Sequence, residues 1–324
     1  MKLALDGIMR EMSGPMNEVE RELRAMFADA SGEAQEVALH LVEGGGKRVR
    51  PLMTLLGARL FSEDAGPAVP IAVAAEMIHM ATLVHDDVID KAETRRGRET
   101  VNARWSDHTA VLAGDALLAR ALVLLVDRTT PEVVRIMSDM VYRMCEGEIA
   151  QQNSMFDIDQ SEETYLQRIE KKTALFFAAC CQTGGLIQGA SPSEANALWN
   201  YGLNIGMAFQ IVDDMLDITA AEEVLGKPVG SDLASGVLTL PVIYLISQKE
   251  VPEWVRETLS SPPLSPEDVQ DIIDLVRGNG ALDYTESVAA SFIAKAKDHL
   301  LDLPAGEVND FLGVVADGVL TRQF

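Results

Sequence analysis

The stretch AVPIAVAAEMIHMATLVHDDVID, residues 68 to 90, decides the reading of the whole chain. Its apolar residues recur at spacings of three and four rather than two, the period of an α-helix. Towards its end the apolar run takes up three aspartates, Asp86, Asp87 and Asp90. On a helix Asp86 and Asp90 share one face, one turn apart, where like charges repel and destabilise the isolated helix. Something cationic has to compensate them.

The same period governs residues 109 to 127, 132 to 152, 163 to 184, 193 to 217 and 283 to 302, all with little alternation. The chain is therefore expected to be all-α. Breaks fall at turn chemistry: EGGGKRVRP at 43 to 51, ASPSEA at 190 to 195, GKPVGSD at 226 to 232 and SSPPLSPED at 260 to 268. The last is too short to demand a boundary, so residues 1 to 324 are read as one domain.

Composition narrows the function. With 50 acidic against 27 basic residues, a net charge of −23 and no Lys/Arg-rich run, the chain lacks the basic face that binding nucleic acid requires. Three cysteines, Cys145, Cys180 and Cys181, make neither a disulfide framework nor a zinc spacing, which fits a reducing cytoplasm. No stretch reaches 18 uninterrupted apolar residues, so no transmembrane segment is expected.

The aspartate cluster has an echo. VDDMLD at 212 to 217 repeats the D-D-x-x-D spacing of HDDVID at 85 to 90, and Asp213 and Asp217 again share a face. Both copies sit inside apolar helix, which a solvated acidic face would not. Hard divalent ions compensate such carboxylates, and magnesium binds through one or two of them while phosphates and water complete its shell.

Cations supply the other half. GGGKRVRP at 44 to 51 sets Lys47, Arg48 and Arg50 beside three glycines whose backbone can approach an anion closely, though without P-loop spacing. Arg95 and Arg96 follow the first cluster by one or two helical turns, where pairing with Glu93 or Glu99 is the plain alternative. Lys172 and Lys227 are further isolated cations, each with an ordinary surface reading beside a functional one. Together these residues describe a cavity for two phosphorylated groups, one held through metal and one directly. No Ser-His-Asp, Cys-His or G-x-G-x-x-G arrangement competes, and the implied chemistry is loss of diphosphate.

The pieces GGGKRVRP, EMIHMATLVHDDVID, RRG, VLAGDALLARA, EGEIAQ, KKTALFFAACC, GMAFQIVDDMLD and GKPVGSDLASGVLTLP, in this order from about residue 40 onwards, resemble the trans-isoprenyl diphosphate synthases of the long-chain polyprenyl type. The resemblance implies a single large helical bundle around a deep central cavity, usually dimeric. It implies a transferase that condenses isopentenyl diphosphate with an allylic diphosphate in the presence of magnesium, up to about three ions. Asp86, Asp90, Asp213 and Asp217 would hold the metal, with Asp87 and Asp214 in the same motifs but pointing about 100° away. Lys47, Arg50, His79 and Arg96 would bind the isopentenyl diphosphate, Arg95 the allylic side, and Lys172, Thr173, Gln210 and Lys227 would complete the site.

The resemblance also places product-length control on residues one or two turns before Asp86, here Ala81 and Thr82, with Met77 a further turn down either lining the lower tunnel or packing the core. Ala81 lies roughly 7 Å below Asp86, and with no aromatic there the product is expected to be long, about C30 to C40. Met137, Met140 and Met144 share helical spacing and either line the lower tunnel or pack the core. Val237 stands where relatives often carry lysine. The wording IHMA and VHDDVID is similar to catalytic subunits of two-component heptaprenyl synthases, so a heteromeric partner is an open alternative to the homodimer. A shorter-chain synthase, a terpene cyclase and a non-catalytic metal-binding protein are the remaining alternatives.

Overall fold

The computed structural model describes residues 10–220 and 229–321. These residues form α1 (Ser13–Ala25), α2 (Glu33–Glu43), α3 (Val49–Arg59) and α4 (Val69–Ile89), then the two-residue strands β1 (Thr94–Arg95) and β2 (Arg98–Glu99). There follow α5 (Val101–Arg104), α6 (Asp107–Arg128), α7 (Pro131–Asn153), α8 (Glu162–Ile169), α9 (Leu175–Ile187) and α10 (Pro192–Thr219). The C-terminal part holds α11 (Ser231–Ala234), α12 (Leu240–Ser247), α13 (Glu253–Leu259), α14 (Pro266–Gly278), α15 (Ala281–His299) and α16 (Glu307–Leu320). The chain is all-α, as its periodicity predicts.

Helix α4 is the axis of the bundle. It is apolar on nearly every face, from Val69 to Val84, and such a helix has to be surrounded by others. It packs most extensively on α6, while α10 packs on α9 and α15, and α9 also lies against α3. One contiguous core runs from Met12 to Val319. Turn chemistry set the boundaries as read: Ser191 and Ser265 each form a capping box, with Pro192 and Pro266 in the first turn.

Two features depart from the sequence reading. The helix expected over 163 to 184 is interrupted by a π-turn at Glu170–Ala174, which carries Lys172 and Thr173. Such turns re-aim side chains that a regular helix would leave stacked along one face. Arg95 and Arg96 do not continue α4 as further helical turns. They sit on the β1–β2 hairpin, whose central residues Arg96 and Gly97 both have positive φ, 53° and 73°, the requirement of a tight two-residue turn.

Among the described residues two helices are long and apolar enough to span a membrane, but 78% of the relevant window of Gly66–Ile89 is buried inside the bundle, against 33% for Asp107–Arg128. The first is a core helix. The second, α6, leaves an apolar stripe exposed, with Leu112, Val123 and Val126 at 54, 59 and 63%.

Helices α3 and α9 approach so closely that each presents a glycine to the other's backbone. A Cβ on Gly184 would lie 2.0 Å from the Thr54 carbonyl oxygen, and one on Gly57 would lie 2.5 Å from that of Cys181. Rigid backbone cannot give way as a side chain can. Gly184→Ala should therefore destabilise the fold by about 1–3 kcal/mol, read as a lowered melting temperature; an unchanged value would mean that the two helices are free to part.

Candidate active site

The bundle encloses a cavity of about 960 Å³. One wall comes from α4, which contributes His79, Thr82, Leu83, Asp86 and Asp90. Facing it are Phe209, Gln210, Asp213 and Asp214 on α10 and Lys172, Thr173, Phe176 and Phe177 on the π-turn and α9. The loop from Gly46 to Arg50 and the hairpin arginines Arg95 and Arg96 close the cationic end. The two D-D-x-x-D segments, 127 residues apart, thus meet across one space.

The structure does not treat the six aspartates alike. Asp86, Asp90 and Asp213 line the cavity. Burial pushes Asp86 up to about 6, with Glu148 and Asp90 acting in the same direction and Lys172 and Arg95 opposing; burial raises Asp90 likewise. Asp87 turns inward, 5% exposed, and accepts a hydrogen bond from Arg95 Nε at 2.7 Å. It thereby fixes the hairpin to α4.

Asp217, placed with the metal ligands by its spacing, does not line the cavity. Its carboxylate is 3% exposed and accepts hydrogen bonds from Ser231 Oγ at 2.9 Å and the Asp232 amide at 3.2 Å. The segment that follows Gly230 folds back over it, which no helical wheel can foresee. Lys227 falls outside the described residues.

Asp214 lines the cavity but has both oxygens engaged: Tyr165 Oη donates to one at 2.8 Å and Gln210 Nε2 to the other at 2.7 Å. Burial raises this carboxyl to about 7, against those two hydrogen bonds and Arg168. Because the Gln210 amide nitrogen is held by Asp214, its oxygen is left to accept from Thr173 Oγ1 at 2.7 Å. The orientation of Gln210 is thus fixed from behind.

The π-turn is clamped by the EGE segment of α7. Lys172 Nζ lies 2.7 Å from Glu148 and Lys171 Nζ 3.5 Å from Glu146. Between them a Cβ on Gly147 would meet Lys171 Cβ at 2.9 Å and the Lys172 amide nitrogen at 3.0 Å. Glycine is what lets the two carboxylates straddle the turn.

At the cationic end Arg50 is buried against Phe176 and Phe177, its guanidinium 4.8 and 5.3 Å from the ring centroids, and its Nε has no hydrogen-bond partner. A buried donor left unpaired on a cavity wall is costly unless an anion arrives to accept from it. His79 is held well below its ordinary value by burial and by Arg50, Arg96, Arg95 and Arg48, so it stays neutral. Arg96 donates to the Gly45 carbonyl.

Of the length-control residues, Thr82 is on the wall, whereas Ala81 and Met77, 3 and 0% exposed, are buried in the core and not part of it. Met144 lines the cavity, but Met137 and Met140 belong to the core. Val237 is also on the wall and puts an apolar group where a cation was the alternative. Sequence reasoning gave no role to Tyr165, Arg168, Glu148, Asp232 or Glu76. Glu148 lay within a segment already singled out, EGEIAQ, but its partner Lys172 is 24 residues away, and only folding joins them.

Among the described residues, no group of three or more His, Cys, Asp or Glu is gathered closely enough to hold a metal by protein ligands alone. The donor set fits magnesium: hard oxygen ligands on Asp86, Asp90 and Asp213, which line one cavity.

Comparison with known proteins agrees with this geometry. The polyprenyl synthetase family model matches residues 32–276. Heptaprenyl diphosphate synthase component 2 of Geobacillus stearothermophilus is 40% identical over 314 residues, covering 97% of each chain. Octaprenyl diphosphate synthase of Escherichia coli is 35% identical over 271 residues, 83% of this chain and 84% of that one. Among solved structures, a polyprenyl synthase from Caulobacter crescentus, complexed with calcium and isoprenyl diphosphate, superimposes with a TM-score of 0.93 at 36% identity, covering 98% of both chains. A bundle whose two aspartate segments face each other beside a cationic loop, with relatives of this extent, belongs to the polyprenyl synthetase family, and the protein is a prenyltransferase.

Proposed function

We propose that the protein condenses isopentenyl diphosphate with an allylic diphosphate to make a long all-trans polyprenyl diphosphate, with residues 1 to 324 acting as one domain. A single observation carries the reading: one cavity is lined by the carboxylates Asp86, Asp90 and Asp213, by the cations Lys47, Arg50 and Arg96, and by phenylalanines. Two diphosphates can then be held by opposite means within one space.

The roles follow from position. Asp86, Asp90 and Asp213 would hold up to about three magnesium ions together with the allylic diphosphate. Magnesium, when bound, neutralises charge on the departing diphosphate. Lys172 and Arg95 add direct cationic contacts on that side. Lys47, Arg50, Arg96 and neutral His79 grip isopentenyl diphosphate, and the unpaired Arg50 Nε gains its acceptor. When the allylic C–O bond ionises, the isopentenyl double bond attacks the carbocation, and the released diphosphate then takes a proton to regenerate an allylic product. The Gln210 oxygen and Thr173 hydroxyl, fixed by Asp214, present partial negative charge to that cation without quenching it.

The growing chain would leave along the apolar wall, with Thr82 nearest the first aspartates. The small side chain there and the chain lengths named for the relatives support a product of about C30 to C40, since each helical turn left open adds about 5 Å of tunnel. The exposed apolar stripe of α6, with Tyr142 and Ile149 beside it on α7, suits a second copy of this chain. The heptaprenyl component 2 relatives support a second reading, in which a different subunit is needed for turnover. Unpaired thiols at Cys145, Cys180 and Cys181 suit the cytoplasm.

Purified protein with magnesium, labelled isopentenyl diphosphate and farnesyl diphosphate should yield a ladder of polyprenyl products on reversed-phase separation after dephosphorylation. Chelation of the metal should abolish it. Asp86→Ala and Asp213→Ala should each lower kcat by about a thousandfold; unchanged turnover in either would sink the reading. Tyr165→Phe should lower kcat about tenfold while both KM values hold, because Gln210 loses its fixed orientation. Thr82→Phe should shorten the ladder, and an unaltered product length would remove Thr82 from the tunnel wall.

A further inference from the structure

We propose that Glu76 is the positioning residue of the cationic end: through Arg48 it holds the glycine loop so that Lys47, Arg50 and Arg96 converge on one diphosphate. The inference rests on the reading of that end as the isopentenyl diphosphate site.

Glu76 lies on α4, 3% exposed and three residues before His79. Its Oε1 accepts a hydrogen bond from Arg48 Nη1 at 2.7 Å. A carboxylate this deeply buried is stable only if it is paired, and removing the partner of a buried ion pair leaves an uncompensated charge. Arg48 is itself 8% exposed, and its Nε donates to Glu20 on α1 at 2.5 Å. One arginine thus ties the N-terminal helix, the loop and the central helix together.

Arg48 also has a backbone φ of 51°, the left-handed region that a side chain with a Cβ rarely adopts. Such a conformation persists where the surroundings over-determine it, and two ion pairs on one guanidinium do so here. The loop geometry depends on it. A Cβ at Gly46 would lie 2.9 Å from Arg96 Nη1, 3.0 Å from Arg48 Nη1 and 3.6 Å from Glu76 Oε1. Two arginines and a glutamate therefore close on bare backbone, and Arg96 completes the contact by donating to the Gly45 carbonyl. Glu76 also opposes the effect of burial on both Arg50 and Arg96, favouring their charged forms.

The K-R-x-R pattern then divides by role. All three cations line the cavity, but Arg48 is committed to Glu76 and Glu20 and acts as an anchor, whereas Lys47 and Arg50 would bind the ligand. Before a diphosphate arrives, Glu76 is the anion that keeps the cations from repelling one another out of register.

The test uses full-length protein and two variants. Glu76→Gln keeps shape and an acceptor but removes the charge. Glu20→Gln makes the same change at the outer end of the network, where the side chain is 34% exposed and outside the cavity wall. Isopentenyl diphosphate alone is titrated by calorimetry, so its affinity is read without turnover. The Kd should rise about tenfold in Glu76→Gln, the scale of a misplaced binding group. It should rise about threefold in Glu20→Gln, because Glu20 is itself partly exposed and solvent screens its pairing with Arg48. The KM for farnesyl diphosphate should stay within twofold in both, a split that general destabilisation would not produce.

Where Glu76→Gln does not fold, Glu20→Gln carries the test, because it perturbs the loop only through Arg48. Unchanged isopentenyl diphosphate affinity in Glu20→Gln, or an equal loss for both substrates, overturns the inference. Wild-type protein that binds no isopentenyl diphosphate overturns the site assignment and the inference with it. Wild-type protein that binds but does not elongate overturns only the claim of independent activity.

Discussion

A buried carboxylate is among the most expensive groups a fold can carry, and this bundle brings two aspartate clusters face to face across its central cavity. Burial, with Glu148 and Asp90 acting in the same direction, pushes Asp86 up to about 6 despite Lys172 and Arg95. On the proposed function, one diphosphate brought in with divalent cations would supply positive charge to the aspartates and a second would supply negative charge to the arginines, so both groups share one cavity.

Not every charged group in the cavity waits for a ligand. Asp87 is paired with Arg95, Asp214 with Tyr165 and Gln210, and Arg48 with Glu20 and Glu76. Each pair has at least one buried member, and each lies next to a group that lines the cavity. The arrangement separates anchoring from binding: within each motif, alternate residues of the helix or loop turn inward to fix the position of those that turn outward. A π-turn carries the same logic into the backbone, because it moves Lys172 and Thr173 out of regular helical register and the EGE clamp holds them there.

The helical class, the capped starts at Pro192 and Pro266 and the pairing of two aspartate clusters with a cationic loop were all legible in the sequence. Each depends on local spacing: apolar residues three and four apart, Ser before Pro before Glu or Asp, and the repeated D-D-x-x-D. The same spacing misled where the chain folds back. Asp217 has the periodicity of a cavity residue, yet caps the segment at Ser231 and Asp232. Arg95 and Arg96 read as a helical continuation, yet lie on a hairpin whose turn needs two residues of positive φ.

What the sequence determined by itself was which residue types and intervals the chemistry needs, because periodicity and charge are properties of neighbours in the chain. What only the tertiary structure decided was which member of each motif faces the ligand and which faces the protein. Glu76 against Arg48, Glu148 against Lys172 and Tyr165 against Asp214 join residues 28, 24 and 49 positions apart. The energy of a buried charge depends on what surrounds it in space, and no one-dimensional spacing encodes that.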